Sequence, residues 1–312
     1  PRRAPEMDLF DTKSAKPMLI RDEVPPFDDP DYLFELKFDG TRCLAYLGEE
    51  TALINKRDIR LLPVFPGLEG LHRQVGERCI LDGELIVVRD GRVSFEELQK
   101  RQMAANPFKV SLRSKQAPAS FVAYDILYLR DREVTGLPLT GRKELLEKTV
   151  RESPQLAVSR CVEEFGKAFF EQTARKGLEG IVGKKKTSLY RCGERTRDWV
   201  KIKNMCEDDF IVCGAVKKEK GVALVLAKRR GEELVYRGHV TGLSREAVEF
   251  VLAQPEGECP FDPVPGGNER ARWIAPSLVC TVRYLYRTPA GNLRQPAFRG
   301  FRNDKLPEEC VE

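Results

Sequence analysis

The residues that could do chemistry in this sequence are lysines and carboxylates at the ends of short apolar runs. The first is Lys37, in the tetrapeptide 37–40 (KFDG), with Arg42 two positions after it. A lysine amine becomes a nucleophile when burial or neighbouring positive charge favours its neutral form. Strand alternation puts Glu35 on the same face as Lys37. Taken alone, the tetrapeptide is more typical of a hairpin with an exposed lysine.

Two further motifs place a carboxylate beside an apolar strand. Residues 81–85 read LDGEL, and residues 179–184 read EGIVGK, so that Glu179 opens a run that Lys184 ends. A carboxylate among apolar residues is unfavourable unless it meets a cation or a donor. Glu84 is therefore a candidate to bind a ribose hydroxyl or a metal, and Glu84 and Glu179 together could hold Mg²⁺ or Mn²⁺, which prefer oxygen ligands. Surface glutamates at turns are the alternative for each.

Paired lysines and one tyrosine complete the set. In residues 199–203 (WVKIK), alternation places Lys201 and Lys203 on one face, where they repel unless an anion lies between them. A nucleotide phosphate would serve, and a solvated edge strand is the alternative. Tyr124, in residues 121–127 (FVAYDIL), could stack on a purine or could be a core aromatic.

The order of these motifs resembles that of the covalent nucleotidyltransferases, the superfamily of ATP-dependent DNA ligases and mRNA capping enzymes. K-x-D-G, D-G-E, an aromatic strand, E-G-x-V-x-K and W-x-K-x-K follow one another between residues 37 and 203, and residues 302–305 match a C-terminal R-x-D-K. Within the superfamily the chain looks most like the ligase domain of the bacterial end-joining ligase D. That resemblance covers nearly the whole chain and includes the segments 17–19, 26–30 and 298–302.

The resemblance implies a three-step reaction. Lys37 attacks the α-phosphorus of ATP, AMP passes from lysyl-AMP to a DNA 5′-phosphate, and a 3′-hydroxyl then displaces AMP. Cations should stabilise the negative charge in each step. The resemblance implies contacts with ATP or AMP for Glu35, Arg42, Glu84, Tyr124, Val182, Lys184, Lys201 and Lys203, with adenine between Tyr124 and Val182. It also implies a metal site at Glu84 and Glu179 and pyrophosphate orientation by Arg302 and Lys305.

One segment departs from the family pattern. The family often has S-R-x-G after the lysine motif, whereas residues 55–58 here read NKRD, so that Lys56 stands where arginine is usual. Lysine cannot make the two-pronged phosphate contact of arginine. Either Arg57 substitutes for the arginine, or that contact is weaker.

The elements that position these residues indicate an α+β fold with a largely antiparallel sheet, followed by a small OB-fold barrel. We expect a linker or tail at 1–16, an adenylation domain at 17–204 and the OB-fold domain at 205–312. The predicted strands are 33–37, 42–47, 51–55, 79–88, 121–129, 180–184 and 199–203, then 210–216, 222–228, 234–240 and 278–286. The predicted helices are 142–151, 162–176 and 244–253, the last with Ser244 as its N-cap.

Composition narrows the class of function. The formal net charge is +5, and residues 184–203 hold eight Lys or Arg against Glu194 and Asp198, which suggests phosphate or nucleic acid as partner. Only His72 and His239 are present, so chemistry built on histidine is improbable. The nine cysteines lack C-x-x-C spacing, which indicates a reducing, cytosolic compartment. No run is long and apolar enough to cross a membrane.

The expected cofactors and partners follow from the resemblance. They are ATP, Mg²⁺ or Mn²⁺, and nicked or broken double-stranded DNA, with a Ku-type end-binding protein and a linked polymerase domain as further partners. We expect a monomer in the bacterial cytoplasm that associates with the nucleoid while working. The alternatives are an RNA ligase or a GTP-using capping enzyme, and a non-catalytic nucleic-acid-binding OB-fold protein.

Overall fold

The chain divides into two units, Pro1–Lys203 and Asn204–Glu312, whereas the sequence placed the boundary one residue later. The structure is a computed structural model that describes residues 8–104, 106–219 and 221–312. Within those residues, no helix has the length and apolar character that crossing a membrane needs.

The first unit contains groups of consecutive strands separated by helices. Its strands are β1 (Leu19–Glu23), β2 (Asp29–Leu36), β3 (Thr41–Leu47), β4 (Thr51–Asn55), β5 (Cys79–Arg89), β6 (Arg92–Val93), β7 (Ala119–Leu129), β8 (Arg132–Glu133), β9 (Leu156–Val158), β10 (Cys161–Glu164), β11 (Gly180–Lys185) and β12 (Arg195–Lys203). Its helices are α1 (Leu9–Thr12), α2 (Phe95–Gln102), α3 (Pro107–Gln116), α4 (Leu139–Thr149) and α5 (Gly166–Arg175), with 3₁₀ turns at Leu62–Val64 and Pro66–Gln74.

These strands form two sheets that face each other. One has five strands in the order β1-β12-β11-β2-β10, and the other has seven, with β4-β3-β5-β7-β8 as its main path. Alternation sends Tyr46 and Ile80 of the second sheet and Leu33 and Trp199 of the first into one shared core. On the opposite face of the first sheet, Phe34 packs with the side chains of α5. The odd-numbered residues of β2, which include Leu33 and Glu35, therefore face the second sheet.

Glycines in the motifs mark places where two backbones approach closely. Gly180 has φ +140°, and a Cβ there would collide with the Ile202 carbonyl of β12. A Cβ on Gly83 would collide in the same way with the Val122 carbonyl of β7. The glycines of the E-G and D-G-E motifs are thus required by strand packing, which sets the neighbouring Glu179 and Glu84 in place.

The second unit is a five-stranded antiparallel sheet with one described helix. Its strands are β13 (Cys206–Lys218), β14 (Gly221–Arg230), β15 (Glu233–Val240), β16 (Arg272–Tyr284) and β17 (Ala297–Arg302), with α6 at Arg245–Leu252 and a 3₁₀ turn at Pro307–Glu309. The order is β15-β14-β13-β16-β17. A bridge between Thr241 and Ala297 joins the two edges and closes the sheet into a barrel. Ser244 caps α6 by accepting from the Ala247 N–H. The predicted α+β fold with an OB barrel is confirmed.

Besides the domain boundary, two predictions are contradicted by the structure. The predicted helix 162–176 was wrong at its start, because residues 161–164 form β10 against β2 and the helix begins at Gly166. Of the predicted tail, residues 1–7 lie outside the described residues. Residues 8–16 were wrongly assigned, because Asp8 caps α1 and Phe10 packs at 5.8 Å from the ring of Tyr46. A helix of four residues is too short for its periodicity to be read from sequence.

Candidate active site

The space between the two sheets opens into a cleft of about 870 Å³. Because residues of one parity on each strand face this space, side chains from distant motifs converge there. Eight of the residues singled out in the sequence line it: Glu35, Lys37, Arg42, Glu84, Tyr124, Val182, Lys184 and Lys201.

Lys37 lies at the end of β2 and is held beside a buried carboxylate. Its N–H donates to the carbonyl of Gly180 at 3.0 Å, which fixes the backbone against β11. Its Nζ lies 2.8 Å from Oε1 of Glu179, a side chain that is only 3 % exposed. Burial raises the pKa of Glu179, and the Lys37 ammonium opposes that rise. The lysine is therefore oriented by Glu179 and still open to the cleft.

Glu35 is buried between two ammonium groups. Its Oε1 lies 2.6 Å from Lys143 Nζ of α4 and 3.0 Å from Lys184 Nζ of β11. Burial alone would raise the pKa of Glu35, but the two lysines outweigh it and hold that pKa below its usual range. Burial lowers the pKa of Lys184 to about 8, with Glu35 opposing the shift and Lys143 adding to it. Two cations thus share one carboxylate, and Lys184 is incompletely compensated.

Arg42 is clamped rather than free. Its guanidinium donates to both carboxylate oxygens of Asp82, at 3.0 Å from Nε and 2.6 Å from Nη2. Asp82 is fully buried and also accepts from the Tyr190 hydroxyl at 2.6 Å. The predicted phosphate contact of Arg42 would therefore use the donors that Asp82 leaves available.

An aromatic wall flanks the cleft. Lys184 Nζ lies 4.5 Å from the ring centre of Tyr124 and 4.2 Å from that of Trp199. Tyr124 on β7 and Val182 on β11 come from the two facing sheets, and both line the cleft. A flat base between them stays a prediction that their placement on facing sheets supports.

Positive charge is concentrated on β12. Lys201 and Lys203 face the same side of the strand, as alternation predicted, and Lys203 Nζ lies 3.5 Å from Glu23. Burial lowers the pKa of Lys201, and the nearby cations Lys203, Lys37 and Arg195 lower it further. An anion placed here would relieve this repulsion.

Glu84 and Glu179 fit a divalent cation. Burial raises the pKa of Glu84 to about 8, and Asp82 and Glu179 reinforce the rise against Lys37 and Arg42. Glu179 Oε2 is buried and accepts no hydrogen bond from the described residues. The part of the chain that the structure describes contains no group of three or more His, Cys, Asp or Glu side chains that could hold a metal. A metal here would therefore take further ligands from phosphate or water, as Mg²⁺ commonly does.

The segment that departs from the family pattern also reaches the cleft. Lys56 and Arg57 both line it, on an exposed turn whose Asn55 side chain accepts from the N–H groups of Arg57 and Ile59. Asp58, at φ +62°, forms an ion pair with Lys16. Both cations therefore reach the cleft from the segment where the family often has its arginine.

The second unit carries Arg302 and Lys305 on one acidic anchor. Lys305 Nζ lies 2.8 Å and Arg302 Nη1 3.3 Å from Oδ2 of Asp209, whose other oxygen accepts from Thr281 at 2.6 Å. Burial would raise the pKa of Asp209, but these partners lower it. Both cations are thus held together at the end of β17, and their role with pyrophosphate remains a prediction.

Sequence reasoning missed two residues of the site. Arg195 lines the cleft and lies on the face of β12 that carries Lys201, so the same alternation would have found it. Lys143 reaches Glu35 from α4. No motif or spacing in the sequence predicts this contact, because it arises only from the packing of α4 against β7.

A two-sheet fold with a lysine in a cation-lined cleft of about 870 Å³, followed by an OB barrel, defines a nucleotidyltransferase class of enzyme. Two family models match the chain, the ATP dependent DNA ligase domain over residues 14–203 and the ATP dependent DNA ligase C terminal region over residues 217–305. The chain belongs to the ATP-dependent DNA ligase family.

Individual relatives agree with this assignment. The multifunctional non-homologous end joining DNA repair protein LigD of Mycobacterium tuberculosis is 30% identical over 98% of this chain, which spans 41% of that relative. The SPbeta prophage-derived DNA ligase-like protein LigB of Bacillus subtilis is 28% identical over 92% of this chain and 99% of its own length. A solved structure, mycobacterial DNA ligase D complexed with ATP and MES, is 29% identical with a TM-score of 0.56, covering 96% of this chain and 98% of that one.

Proposed function

We propose that this ATP-dependent DNA ligase forms lysyl-AMP at Lys37 and seals broken DNA in repair by end joining. The observation that carries the residue assignment is the placement of Lys37 Nζ 2.8 Å from buried Glu179, in a cleft that cations line. Lys37 must lose its proton before Nζ can attack phosphorus. Glu179 holds the amine in position through this 2.8 Å contact.

The cations of the cleft take the phosphate charge. Lys201 and Lys203, on one face of β12, would grip the α-phosphate, since an anion there relieves their mutual repulsion. Arg42 and Lys184 would hold AMP or the 5′-phosphate of the break. Tyr124 and Val182 would enclose adenine, and Glu84 would meet the ribose. When bound, Mg²⁺ or Mn²⁺ at Glu84 and Glu179 would neutralise part of the ATP phosphate charge.

The proposal that the ligase works in end joining is supported by the names of its relatives. The LigD proteins are named for non-homologous end joining, and the chain spans about two fifths of their length. In end joining, the proposed partners of this ligase are a Ku-type end-binding protein and a linked polymerase domain. We place the protein as a monomer in the bacterial cytoplasm, working on the nucleoid.

Covalent labelling tests the proposal. The chain is stripped with pyrophosphate, incubated with α-labelled ATP and Mg²⁺ or Mn²⁺, and run on a denaturing gel. We expect metal-dependent label in the wild type and in Lys185→Ala, an exposed lysine of β11, and none in Lys37→Ala. α-Labelled GTP should give none, whereas preferential GTP labelling would favour the capping alternative.

A second substrate separates the steps. Lys37→Ala should still close a nick whose 5′-phosphate already carries AMP, because the first step has been bypassed. Glu179→Ala should lose metal-dependent closure there too. Normal sealing of an ordinary nick by Lys37→Ala would refute Lys37 as the nucleophile.

A further inference from the structure

Helix α3 presents a basic surface outside every motif discussed above. Between Glu97 and Asp125 the sequence contains no carboxylate, and it has cations at positions 100, 101, 109, 113 and 115. Three of them, Lys109, Arg113 and Lys115, belong to α3. A cluster of one sign of charge attracts an oppositely charged partner and raises its rate of encounter.

Apolar side chains lie beside these cations. Met103 is 82 % exposed, Phe108 75 % and Leu112 44 %. Phe108 and Leu112 are four residues apart and therefore share one face of α3, with Lys109 and Arg113 as an adjacent pair at the same spacing. Grouped apolar exposure bordered by charge marks an interaction surface rather than chance exposure.

A buried arginine fixes this surface to the wall of the cleft. Arg101 of α2 donates to the carbonyl of Ala117, just after α3, at 2.9 Å and to that of Val64 at 3.2 Å. Val64 lines the cleft, as does Gln102, whose side chain donates to Thr41 at 2.7 Å. A ligand on α3 is thus held in a fixed position relative to the cleft.

We propose that Met103, Phe108 and Leu112, with Lys109, Arg113 and Lys115, form an end-binding surface that contacts unpaired bases at a DNA break. This inference extends the proposed function and rests on DNA as the substrate. The cations suit phosphates of any duplex, and within DNA an exposed phenylalanine gains a stacking contact from the face of a base. In an intact duplex neighbouring base pairs cover those faces, whereas an overhang or a frayed end presents them.

Binding of two DNA forms tests this surface. The affinity of the chain is measured for a duplex with a single-stranded overhang and for a duplex with an internal nick. Met103→Ser/Phe108→Ser should bind the overhang about tenfold or more weakly, because stacking on a base contributes about 1–3 kcal/mol. Its affinity for the nick should stay near wild type. The control is Phe165→Ser, an exposed phenylalanine that follows Glu163 and Glu164.

A charge variant gives an independent readout. Lys109→Gln/Arg113→Gln/Lys115→Gln should weaken both DNA forms and flatten the dependence of log affinity on log salt by about 0.9 for each lost contact to duplex phosphate. Covalent labelling with ATP should be unchanged in both multiple variants. That measurement separates failure of this surface from failure of the lysyl-AMP reaction.

Three results would overturn the inference. One is unchanged affinity for the overhang in Met103→Ser/Phe108→Ser. Another is an equal loss on nick and overhang, which would make the surface a general duplex contact. The third is a change of oligomeric state in that variant by light scattering, which would make α3 an interface between proteins.

Discussion

Replacing Lys143 by methionine tests how the buried cluster at Glu35 works. The change keeps the length of the side chain and removes one of the two ammonium groups that compensate a carboxylate only 2 % exposed. Removing one partner of a buried pair costs about 3–5 kcal/mol, and we expect the lower end because Lys184 remains 3.0 Å away. At about 2–4 °C per kcal/mol for a domain of this size, about 3 kcal/mol lowers the Tm by roughly 6–12 °C.

The first unit can be followed by itself. The chain has two tryptophans, Trp199 in the first unit and Trp273 in the second. In a Trp273→Phe background, fluorescence of Trp199 reports only the unit that contains Lys143. The matched control is Lys148→Met on the same helix, where the lysine is 76 % exposed and its pair with Glu144 spans 3.9 Å. We expect that control to change stability by less than about 0.5 kcal/mol.

The same variant should shift a pH profile. In the proposed mechanism Lys184 contacts phosphate only when it is charged, so lysyl-AMP formation should fall as the pH rises through its pKa of about 8. Lys143 helps to lower that pKa by like-charge repulsion, so Lys143→Met should raise it and move the fall to higher pH. If Lys143→Met has the same Tm as Lys148→Met and the wild-type pH dependence of lysyl-AMP formation, then Glu35 is not shared between the two lysines as argued.

Two further predictions concern the other buried carboxylates. Asp82→Asn should destabilise the first unit by about 3–5 kcal/mol, because Arg42 loses its counter-charge. The double variant Asp82→Asn/Arg42→Gln should recover part of the lost stability in the same melting assay. Equal stability of the single and double variants would refute the pairing argument. Glu84, whose pKa burial raises to about 8, favours the folded state only while protonated, so without metal its contribution to the Tm should fall as the pH rises from about 5 to 8. Added Mn²⁺ should reduce that fall, and Glu84→Gln should remove both effects; a fall that persists unchanged in Glu84→Gln would assign it to other groups.

Much of the site could be predicted because it depends on strand geometry. A period of two residues places Lys201 and Lys203 on one face, and the same period places Glu35 and Lys37 in one cleft. Motif glycines such as Gly180 lie where two backbones approach closely, and they can be recognised in the sequence as part of a motif. These features are local, so the order of residues along one strand is enough to find them.

Other parts of the site depend on contacts that no local pattern encodes. Lys143 meets Glu35 across 108 positions of the chain only because α4 packs against β7. Asp82 was part of a recognised motif, yet its pairing with Arg42 depends on the register of β3 against β5. The short α1 has too few residues for periodicity, and its Asp8 cap and its contacts with Tyr46, Tyr128 and Arg78 help to stabilise it.

The strand order of the first sheet has a consequence for how the protein is made. β1 pairs in parallel with β12, so Leu19 lies beside Arg195 and Glu23 beside Lys201. A ribosome must therefore release nearly the whole first unit before this pairing can form, and contacts between such distant residues slow folding. Because β12 also supplies Lys201 and Lys203 to the proposed ATP site, a nascent chain that lacks this strand would offer ATP only part of that site. The nucleotide can then act as a stabilising ligand only after synthesis of the unit is finished.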